Sequence, residues 1–308
     1  MSTSVLFMND QFIPREHGSI SVDTHSFIFG TACLEGIRGY WNEKAQQIYL
    51  FRVQEHFERL MYSCKVLHMT LPYTIDDLMA ITVELVKKNN LKEDIYVYVI
   101  VYKSKQSLNI QLHEIPNGLI INTMPMADYI NTTGLQCGVS SWRRIDDNTI
   151  PARAKISGGY VNSAIARSEA LQNGFDEAIL LNNEGHVAEG SAENIFLIFK
   201  GELVTPSITE NILPGITRDT LIKIASQELG YSTIQRQVDR TELYTADEIF
   251  LCGTAAQIAP VVSVDRRIVG NGQIGPIVKK LREVYSTIVR GNHSSYREKW
   301  CTPIYASS

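Results

Sequence analysis

The chain has 308 residues, of which 44% are hydrophobic, and its formal net charge at pH 7 is −4. This length and apolar content allow one large domain or two ordinary domains with a sizeable core. The scattered basic residues exclude a polyanion-binding surface, so no nucleic-acid partner is expected, and the longest apolar runs, such as VYVIVY at 97–102, are too short to span a membrane.

The first 123 residues predict a small α/β domain in which two helices are grouped between strands. The strand patterns lie at 5–14 (two short strands around an Asn-Asp turn), 48–51, 94–102 and 118–125. The helices are predicted over 54–69 and 74–90, where apolar residues recur at helical spacing. Thr74 and Asp77 form a capping-box pattern at the start of the second helix. Residues 124–134 contain proline and many turn formers, and they are the predicted connector.

Residues 135–308 predict a larger domain of mixed strands and helices. Strand patterns occur in CGVSSWRRI (137–145), across 176–206 and in DEIFLCG (247–253). Helices are predicted over 162–174, ended by Gly174, over 216–230, closed by Gly230, and from Pro276 onward. The order of elements assigns the chain to the α/β class, in its α+β form.

Lys155 is the first candidate for chemistry. It lies in PARAKISGG (151–159), among small and apolar neighbours. A partly desolvated lysine loses its charge more readily and becomes nucleophilic, and the glycines that follow let the backbone come close to something bulky. Most lysines are solvated surface residues, and that alternative stays open on this stretch alone.

Three places are suited to bind a phosphate. In LPGITRD (213–219), the first amides of a helix have no internal partners, and Thr217 adds a hydroxyl unless it only caps the helix. In CGTAAQIAP (252–260), small residues after a strand form either an anion-binding nest or an ordinary turn. Arg59 either reaches a phosphate from its helix or pairs with Glu55 one turn earlier.

Glu189 and Glu193 lie four residues apart in AEGSAENIF (188–196), just before an apolar strand. A carboxylate beside a buried strand needs a partner, and a protonated pyridine nitrogen would be one. An exposed turn with two solvated acids is equally compatible with this stretch.

No metal site is predicted. His25, His56 and His68 lack the spacing of metal ligands. The five cysteines lie far apart without a C-x-x-C pair, which argues against structural zinc and against a disulfide framework, and which fits a reducing cytosol.

A lysine, a carboxylate, a helix-start phosphate cradle and an arginine are together what pyridoxal 5'-phosphate requires. The chain has, in order, EGIR (35–38), EHFERL (55–60), TIPARAKISGGY (149–160), AEGSAENIF (188–196), LPGITRD (213–219) and GTAAQIAP (253–260). This set resembles the class IV aminotransferases, which are fold type IV pyridoxal-phosphate enzymes, and is most similar to the branched-chain amino acid aminotransferases. The resemblance implies a small N-terminal α/β domain (1–123), a connector (124–134) and a larger C-terminal mixed α/β pseudo-barrel domain (135–308).

The resemblance also implies a role for each residue of the cofactor site. Lys155 would form the Schiff base with the cofactor aldehyde and move the α-proton of the substrate. Glu193 would pair with the ring nitrogen, and Tyr160 would hydrogen-bond the phenolate oxygen of the ring. The groups that would hold the phosphate are Arg59, the amides of Ile216 and Thr217, and Thr254.

The substrate pocket that the resemblance implies consists of Phe29, Leu34, Gly36, Arg38, Ile95, Val97, Tyr129, Ala255 and Ala256. The turn at 254–256 would receive the substrate carboxylate. Branched-chain enzymes typically have Tyr-x-Arg on the strand after KKNNL (87–91), and an alignment without gaps puts Ile95 and Val97 there. Phe29 stands where the family has tyrosine, and Leu34 where it has an aromatic residue. Since charge-assisted pairs contribute about 1.5–3 kcal/mol each, the missing arginine predicts a pocket that favours apolar groups.

The predicted function is therefore that of a pyridoxal-phosphate-dependent transaminase, which moves an amino group between an aliphatic or other apolar donor and a 2-oxo acid by a ping-pong mechanism. The alternative is an (R)-amine or other atypical transaminase that uses pyruvate. A pyridoxal-phosphate lyase and a non-catalytic anion-binding protein remain as rivals. The family suggests a homodimer. The N-terminus lacks a basic region followed by a long apolar run, so no signal peptide is predicted and the cytoplasm is the expected location.

Overall fold

The structure is a computed structural model that describes residues 4–127 and 133–305. The chain divides into two compact units. Unit 1 comprises Met1–Ala127, Ala154–Gly158 and Thr287–Ser308, and unit 2 comprises Asp128–Arg153 and Gly159–Ser286. Over the described ranges, no helix combines the length and the apolar character needed to cross a membrane.

The strands are β1 (Val5–Met8), β2 (Gln11–Pro14), β3 (Ala32–Asn42), β4 (Gln47–Phe51), β5 (Ile95–Lys103), β6 (Asn117–Pro125), β7 (Leu135–Arg143), β8 (Glu177–Leu181), β9 (Val187–Gly190), β10 (Asn194–Phe199), β11 (Glu202–Pro206), β12 (Thr233–Arg236), β13 (Glu248–Gly253), β14 (Gln257–Val264), β15 (Arg267–Ile268) and β16 (Cys301–Pro303). The α-helices are α1 (His25–Phe29), α2 (Val53–Val66), α3 (Ile75–Asn89), α4 (Tyr160–Gln172), α5 (Ile216–Gln227), α6 (Pro276–Val289) and α7 (Ser294–Trp300).

Unit 1 is built on a seven-stranded antiparallel sheet with the order β16-β4-β3-β5-β6-β1-β2. The helix α2 packs on β3, while α3 packs on β1 and β6. The predicted capping box at the start of α3 is confirmed, because the Thr74 hydroxyl accepts from the Asp77 N–H and the Asp77 carboxylate accepts from the Thr74 N–H. The α3 helix buries Leu78, Leu85 and Val86, so its apolar face follows the helical spacing seen in the sequence.

Unit 2 is built on a nine-stranded mixed sheet in which β12-β11-β10-β13-β14-β7-β8-β9 follow one another and β15 pairs with β14. The strand β7 is parallel to both β14 and β8, and β11 is parallel to β12, whereas the other pairs are antiparallel. Helix α4 packs on β7 and β8, and α5 packs on β12 and β13. Mixed strands and helices in both units agree with the predicted class.

The two units differ from the predicted division of the chain at three places. The predicted connector at 124–134 is divided, because β6 continues to Pro125 and unit 1 extends to Ala127. Residues 154–158 belong to unit 1, since Cys33 and Ile156 form a β-bridge there. The end of the chain also belongs to unit 1, because β16 pairs with β4. Both segments were assigned from the sequence to the C-terminal domain, and neither long-range pairing has a local sequence signal.

Candidate active site

The backbone of Lys155 is held from two sides by residues of unit 1. Its N–H donates to Oγ of Ser63 on α2 at 3.0 Å, and its carbonyl accepts from the N–H of Leu34 on β3, also at 3.0 Å. The Ser63 hydroxyl donates in turn to the carbonyl of Arg59 at 2.9 Å. The half-buried Lys155 amine is therefore attached to a fixed point of the backbone.

The glycines after Lys155 allow a close approach between two backbone segments. The N–H of Gly158 donates to the carbonyl of Gly30 at 3.0 Å, and Oγ of Ser157 donates to the same carbonyl at 2.7 Å. A Cβ added to Gly30 would lie 3.0 Å from the Cα of Gly158, and Gly30 has φ of +67°, a left-handed conformation that favours glycine. The sequence predicted that these glycines make room for a bulky neighbour. At Gly158 that neighbour is the backbone of Gly30, which also belongs to unit 1.

Glu35 is the centre of a buried ion cluster between β3 and α2. Its Oε1 accepts from Arg59 Nε at 2.6 Å, and its Oε2 accepts from Arg59 Nη2 at 2.9 Å and lies 2.7 Å from His56 Nδ1. Glu55, the partner considered for Arg59 from the sequence, accepts from Arg52 Nε at 2.7 Å. The cluster orients the guanidinium that is predicted to hold the phosphate.

The cluster fixes the charges of its members. Burial alone would raise the pKa of Glu35, but Arg59 and His56 together outweigh burial and lower that pKa to about 2. Burial lowers the pKa of His56, and the positive charges of Arg59 and Lys155 act in the same direction against the opposing effect of Glu35. Near neutral pH the cluster therefore holds a carboxylate, a guanidinium and a neutral imidazole.

The register of β3 and β5 assigns Ile95 and Val97 to the core. Antiparallel partners point to the same face of a sheet, and Val97 pairs with Ile37 while Val99 pairs with Glu35. Because Glu35 contacts α2, the side chains of Ile95 and Val97 lie on the α2 side, and both are fully buried. This corrects the expectation that these two residues contact the substrate.

Tyr96 and Tyr98 occupy the opposite face of β5, where they pair with Arg38 and Gly36 respectively. An alignment shifted by one residue puts Tyr96 at the tyrosine of the family pattern and Tyr98 at its arginine. The Tyr98 hydroxyl accepts from Asn122 Nδ2 at 2.6 Å, and a Cβ built on Gly36 would overlap the Tyr96 hydroxyl. The alternation of tyrosine with apolar residues along 95–99 is the signal that would have identified this face.

The other predicted pocket residues of unit 1 are placed as follows. Arg38 is buried, and its Nη2 donates to the carbonyls of Met126 and Ala127 at 3.1 and 3.2 Å. Phe29 ends α1, with its ring 4.8 Å from that of His25, and Leu34 is half-buried on β3. Tyr129 lies outside the described residues.

Glu193, in unit 2, lies in the turn between β9 and β10 and is buried. Its Oε2 accepts from the N–H of Ala192 at 3.1 Å. Burial raises the pKa of Glu193, and the charge of nearby Glu177 adds to this effect, so that the pKa reaches about 7 in spite of the opposing Ala192 N–H and Arg167. A carboxylate in this environment binds a proton or a cationic partner.

Glu189, the other acid of the same stretch, already accepts hydrogen bonds from other residues of unit 2. Arg144 Nε donates to its Oε1 at 2.7 Å, and Asn194 Nδ2 donates to its Oε2 at 3.0 Å. The N–H of Leu213 donates to the same Oε2 at 3.2 Å. Of the two acids, Glu193 is therefore the one whose environment favours a proton or a cationic partner.

The start of α5 lies near Glu193. This helix begins at Ile216, with Gly215 as its N-cap. Thr217 is therefore the second helical residue and does not cap the helix. Gly215 lies against Asn194, the residue after Glu193. Helix-start amides and their dipole favour an anion.

The turn at Thr254–Ala256 connects β13 to β14 at the same end of the sheet. Asn194 pairs with Cys252 in the register of β10 and β13, and Gly253 pairs with Gln257. A Cβ on Gly253 would lie 3.8 Å from Cγ of Glu193. Unit 2 thus brings together the acid, the turn and the start of α5. Tyr160 is the first residue of α4.

These groups fit pyridoxal 5'-phosphate. A buried carboxylate with a raised pKa matches a ring nitrogen that carries a proton, and the start of α5 with Thr217 matches a phosphate. In the part of the chain that the structure describes, no group of three or more His, Cys, Asp or Glu is arranged to hold a metal ion.

Comparisons with known proteins point to one family. The family model described as amino-transferase class IV matches residues 32–264. The probable branched-chain-amino-acid aminotransferase of Aquifex aeolicus (strain VF5) is 47% identical over 305 residues, which cover 99% of this chain and 98% of the relative.

Two solved structures share the whole fold. The branched-chain aminotransferase of Thermoproteus uzoniensis with norvaline has a TM-score of 0.94 and 39% identity, covering 98% of this chain and 99% of that one. The branched-chain amino acid aminotransferase of Thermobaculum terrenum in its PLP-form has a TM-score of 0.93 and 38% identity, covering 99% of this chain and 99% of that one. The chain belongs to the class IV aminotransferases, which are pyridoxal-phosphate-dependent transaminases.

Proposed function

We propose that this transaminase is a branched-chain amino acid aminotransferase, which moves the amino group of an aliphatic amino acid to a 2-oxo acid in two half-reactions. The observation that carries the proposal is the buried Glu193 with its raised pKa, next to the amide-rich start of α5, in a chain that resembles branched-chain aminotransferases over nearly its full length.

The residues of unit 2 would bind and orient the cofactor. Glu193 would keep a proton on the ring nitrogen, because an ionised carboxylate in a buried site stabilises a facing cation. The amides of Ile216 and Thr217 and the Thr254 hydroxyl would hold the phosphate. Tyr160 would donate to the phenolate oxygen of the ring. When bound, the cofactor supplies a conjugated ring that accepts the electron pair left at Cα of the substrate.

Lys155 would carry the cofactor and then transfer the proton. Its backbone is held by Ser63 and Leu34, so the amine that is released when the substrate takes its place stays close to Cα of the substrate. That amine would remove the proton from Cα of the substrate and deliver it to the cofactor carbon that is bonded to the transferred nitrogen, which is general acid–base catalysis by a tethered group. Arg59, oriented by Glu35, would add a charged contact to the phosphate.

The face of β5 that carries Tyr96 and Tyr98 would line the pocket for the substrate side chain, together with Gly36 and Arg38. Tyr98 in place of the arginine of the family pattern replaces a charged group by a phenol, and a phenol ring accommodates an aliphatic side chain better than a carboxylate. The turn at 254–256, with Ala255 and Ala256, would receive the α-carboxylate.

The test is a panel of amino donors and acceptors with the purified protein and pyridoxal phosphate. L-Leucine, L-isoleucine and L-valine should convert the bound cofactor to its aminated form, and Lys155→Ala should remove both turnover and the absorbance near 400–430 nm that is expected of the lysine-bound cofactor. Conversion by (R)-1-phenylethylamine with pyruvate and not by L-leucine would contradict the proposal. The same panel with L-glutamate tests the effect of the missing arginine, because a pocket without that charge should bind the distal carboxylate of glutamate weakly.

We further propose that the protein is a cytoplasmic homodimer. All five cysteines are free and buried, which is compatible with a reducing compartment. Size-exclusion chromatography with light scattering measures the assembly, and a monomeric holoenzyme with full activity would contradict it.

A further inference from the structure

We propose that Asn194 and Glu189 form a clamp that sets the orientation of the loop at residues 213–215, and with it the first amides of α5. Both are then positioning residues for the cofactor phosphate. This inference rests on the proposed function, because the phosphate concerned is the one that the amides of Ile216 and Thr217 would hold.

The clamp holds both polar groups of the Leu213 backbone. Nδ2 of Asn194 donates to the Leu213 carbonyl at 2.9 Å and to Oε2 of Glu189 at 3.0 Å. The N–H of Leu213 donates to the same Oε2 at 3.2 Å. Two residues further along, the backbone of Gly215 lies so close to Oδ1 of Asn194 that a Cβ there would overlap it. One amide side chain therefore contacts the loop at its first and last residues.

Burial and charge make the clamp stiff. Glu189 and Asn194 are 5% and 6% exposed, and Arg144 Nε donates to Oε1 of Glu189 at 2.7 Å. Loss of Asn194 would remove the donor to the Leu213 carbonyl, and loss of Glu189 would remove the acceptor of the Leu213 N–H. A poorly solvated polar group that loses its partner costs more than the hydrogen bond itself contributes. The loop has little freedom to turn the amides of α5 away from an anion.

The position of the clamp in the sequence links two parts of the cofactor site. Asn194 follows Glu193 directly and begins β10, while the loop that it holds leads into α5. The distance between the acid for the ring nitrogen and the amides for the phosphate is thereby fixed by one side chain. A purely structural role would instead lower stability and leave the preference for a phosphorylated ligand unchanged.

The experiment compares two ligands that differ only in the phosphate. Apoprotein of the wild type and of Asn194→Ala is titrated with pyridoxal 5'-phosphate and with pyridoxal, and binding is followed by absorbance and tryptophan fluorescence. We expect Asn194→Ala to weaken binding of pyridoxal 5'-phosphate about tenfold or more, and binding of pyridoxal less than about threefold, since one misplaced set of charge-assisted bonds corresponds to such a factor. Thermal unfolding of each apoprotein is measured alongside.

The matched control is Asn89→Ala in unit 1. Asn89 Nδ2 donates to the Val5 carbonyl at 3.0 Å and to Thr123 Oγ1 at 2.8 Å, and its Oδ1 accepts from the Val5 N–H at 2.8 Å. This variant removes a comparable set of bonds without touching the loop, so it should lower stability and leave the ratio of the two affinities unchanged.

The outcomes separate the clamp from the proposed function. A wild type that binds neither ligand contradicts the proposed function itself. A wild type that prefers the phosphorylated ligand, together with an Asn194→Ala variant that loses both affinities equally, overturns the clamp alone. If Asn194→Ala does not fold, Glu189→Gln carries the same comparison, because it keeps the shape of the side chain and removes the charge that holds the Leu213 N–H.

Discussion

Arg59 Nε and Nη2 donate to the two carboxylate oxygens of Glu35 at 2.6 and 2.9 Å, which joins β3 to α2 through a bidentate pair. The Glu35 side chain is 0% exposed and that of Arg59 is 12% exposed, so solvent screens the pair little. The first two residues of EGIR therefore serve different purposes: Glu35 orients Arg59, and Gly36 makes room for the Tyr96 hydroxyl.

Glu35→Gln should destabilise the protein by about 3 kcal/mol, because it removes the buried negative charge that the Arg59 guanidinium neutralises. The pKa of Glu35 is lowered from 4.5 to about 2, so its contribution is complete above pH 4.5 and is lost as the pH falls toward 2. Urea unfolding of both proteins at several pH values should therefore show a difference that shrinks over this window.

The control for this prediction is Glu84→Gln. Glu84 pairs with Lys88 at 3.2 Å, and their side chains are 56% and 44% exposed, so its loss should cost less than about 1 kcal/mol. Equal effects of Glu35→Gln and Glu84→Gln would contradict the structural importance of the buried pair.

Glu193→Gln should change how the stability of the apoprotein depends on pH. The pKa of Glu193 is raised from 4.5 to about 7, so between these values the folded state keeps a proton that the unfolded state has lost. The free energy of unfolding of the wild type should therefore fall as the pH rises from 4.5 to 7, relative to the glutamine variant, by an amount on the order of 3 kcal/mol. Chemical denaturation of both apoproteins at pH 5 and pH 8 measures it, and parallel pH profiles would contradict the raised pKa.

Val97→Ala and Tyr98→Phe should separate the two faces of β5. Val97 is fully buried, so its truncation should cost roughly 1–3 kcal/mol of stability and leave kcat/KM unchanged. Tyr98→Phe removes a hydroxyl that accepts from Asn122, so it should alter KM for the substrates and cost only about 1 kcal/mol of stability. The reverse pattern would restore the assignment of Val97 to the pocket.

Gly36→Ala and Tyr96→Phe should be coupled. The methyl group of Gly36→Ala would overlap the Tyr96 hydroxyl, which forces the ring to move and should raise KM. In the double variant the hydroxyl is gone but Cζ of the ring still lies too close to the added methyl group, so only a small part of the loss should be recovered. A double-mutant cycle on kcat/KM measures the coupling, and strictly additive effects would show that the ring does not respond to the methyl group.

The sequence predicted most of the helices because their signals are local. The capping residues and apolar spacing of α3 stand within one segment, and Gly215 and Thr217 mark the start of α5 on their own. The choice between Glu189 and Glu193 needed either the family pattern or the structure, because only the fold shows that Arg144 and Asn194 already engage Glu189.

The errors and omissions arise where pairing between distant segments decides the outcome. An alignment without gaps missed the face of β5 by one residue, and a shift of one residue moves every side chain of a strand to the other face. The pairing of Glu35 with Arg59 joins a strand to a helix and leaves no pattern within either segment. The same is true of the clamp, whose partners Glu189, Asn194 and Leu213 come from two strands and a loop.

The pairing of β16 with β4 has a consequence for biosynthesis. Cys301 lies opposite Phe51 at the edge of the first sheet, so the nascent N-terminal half emerges from the ribosome long before its bordering strand is made. During that time the backbone of Tyr49–Phe51 offers unsatisfied N–H and C=O groups to any other extended chain nearby. A protein that ends just before Cys301 would lack β16 and leave β4 as an unpaired edge strand. We expect such a truncated protein to aggregate through β4.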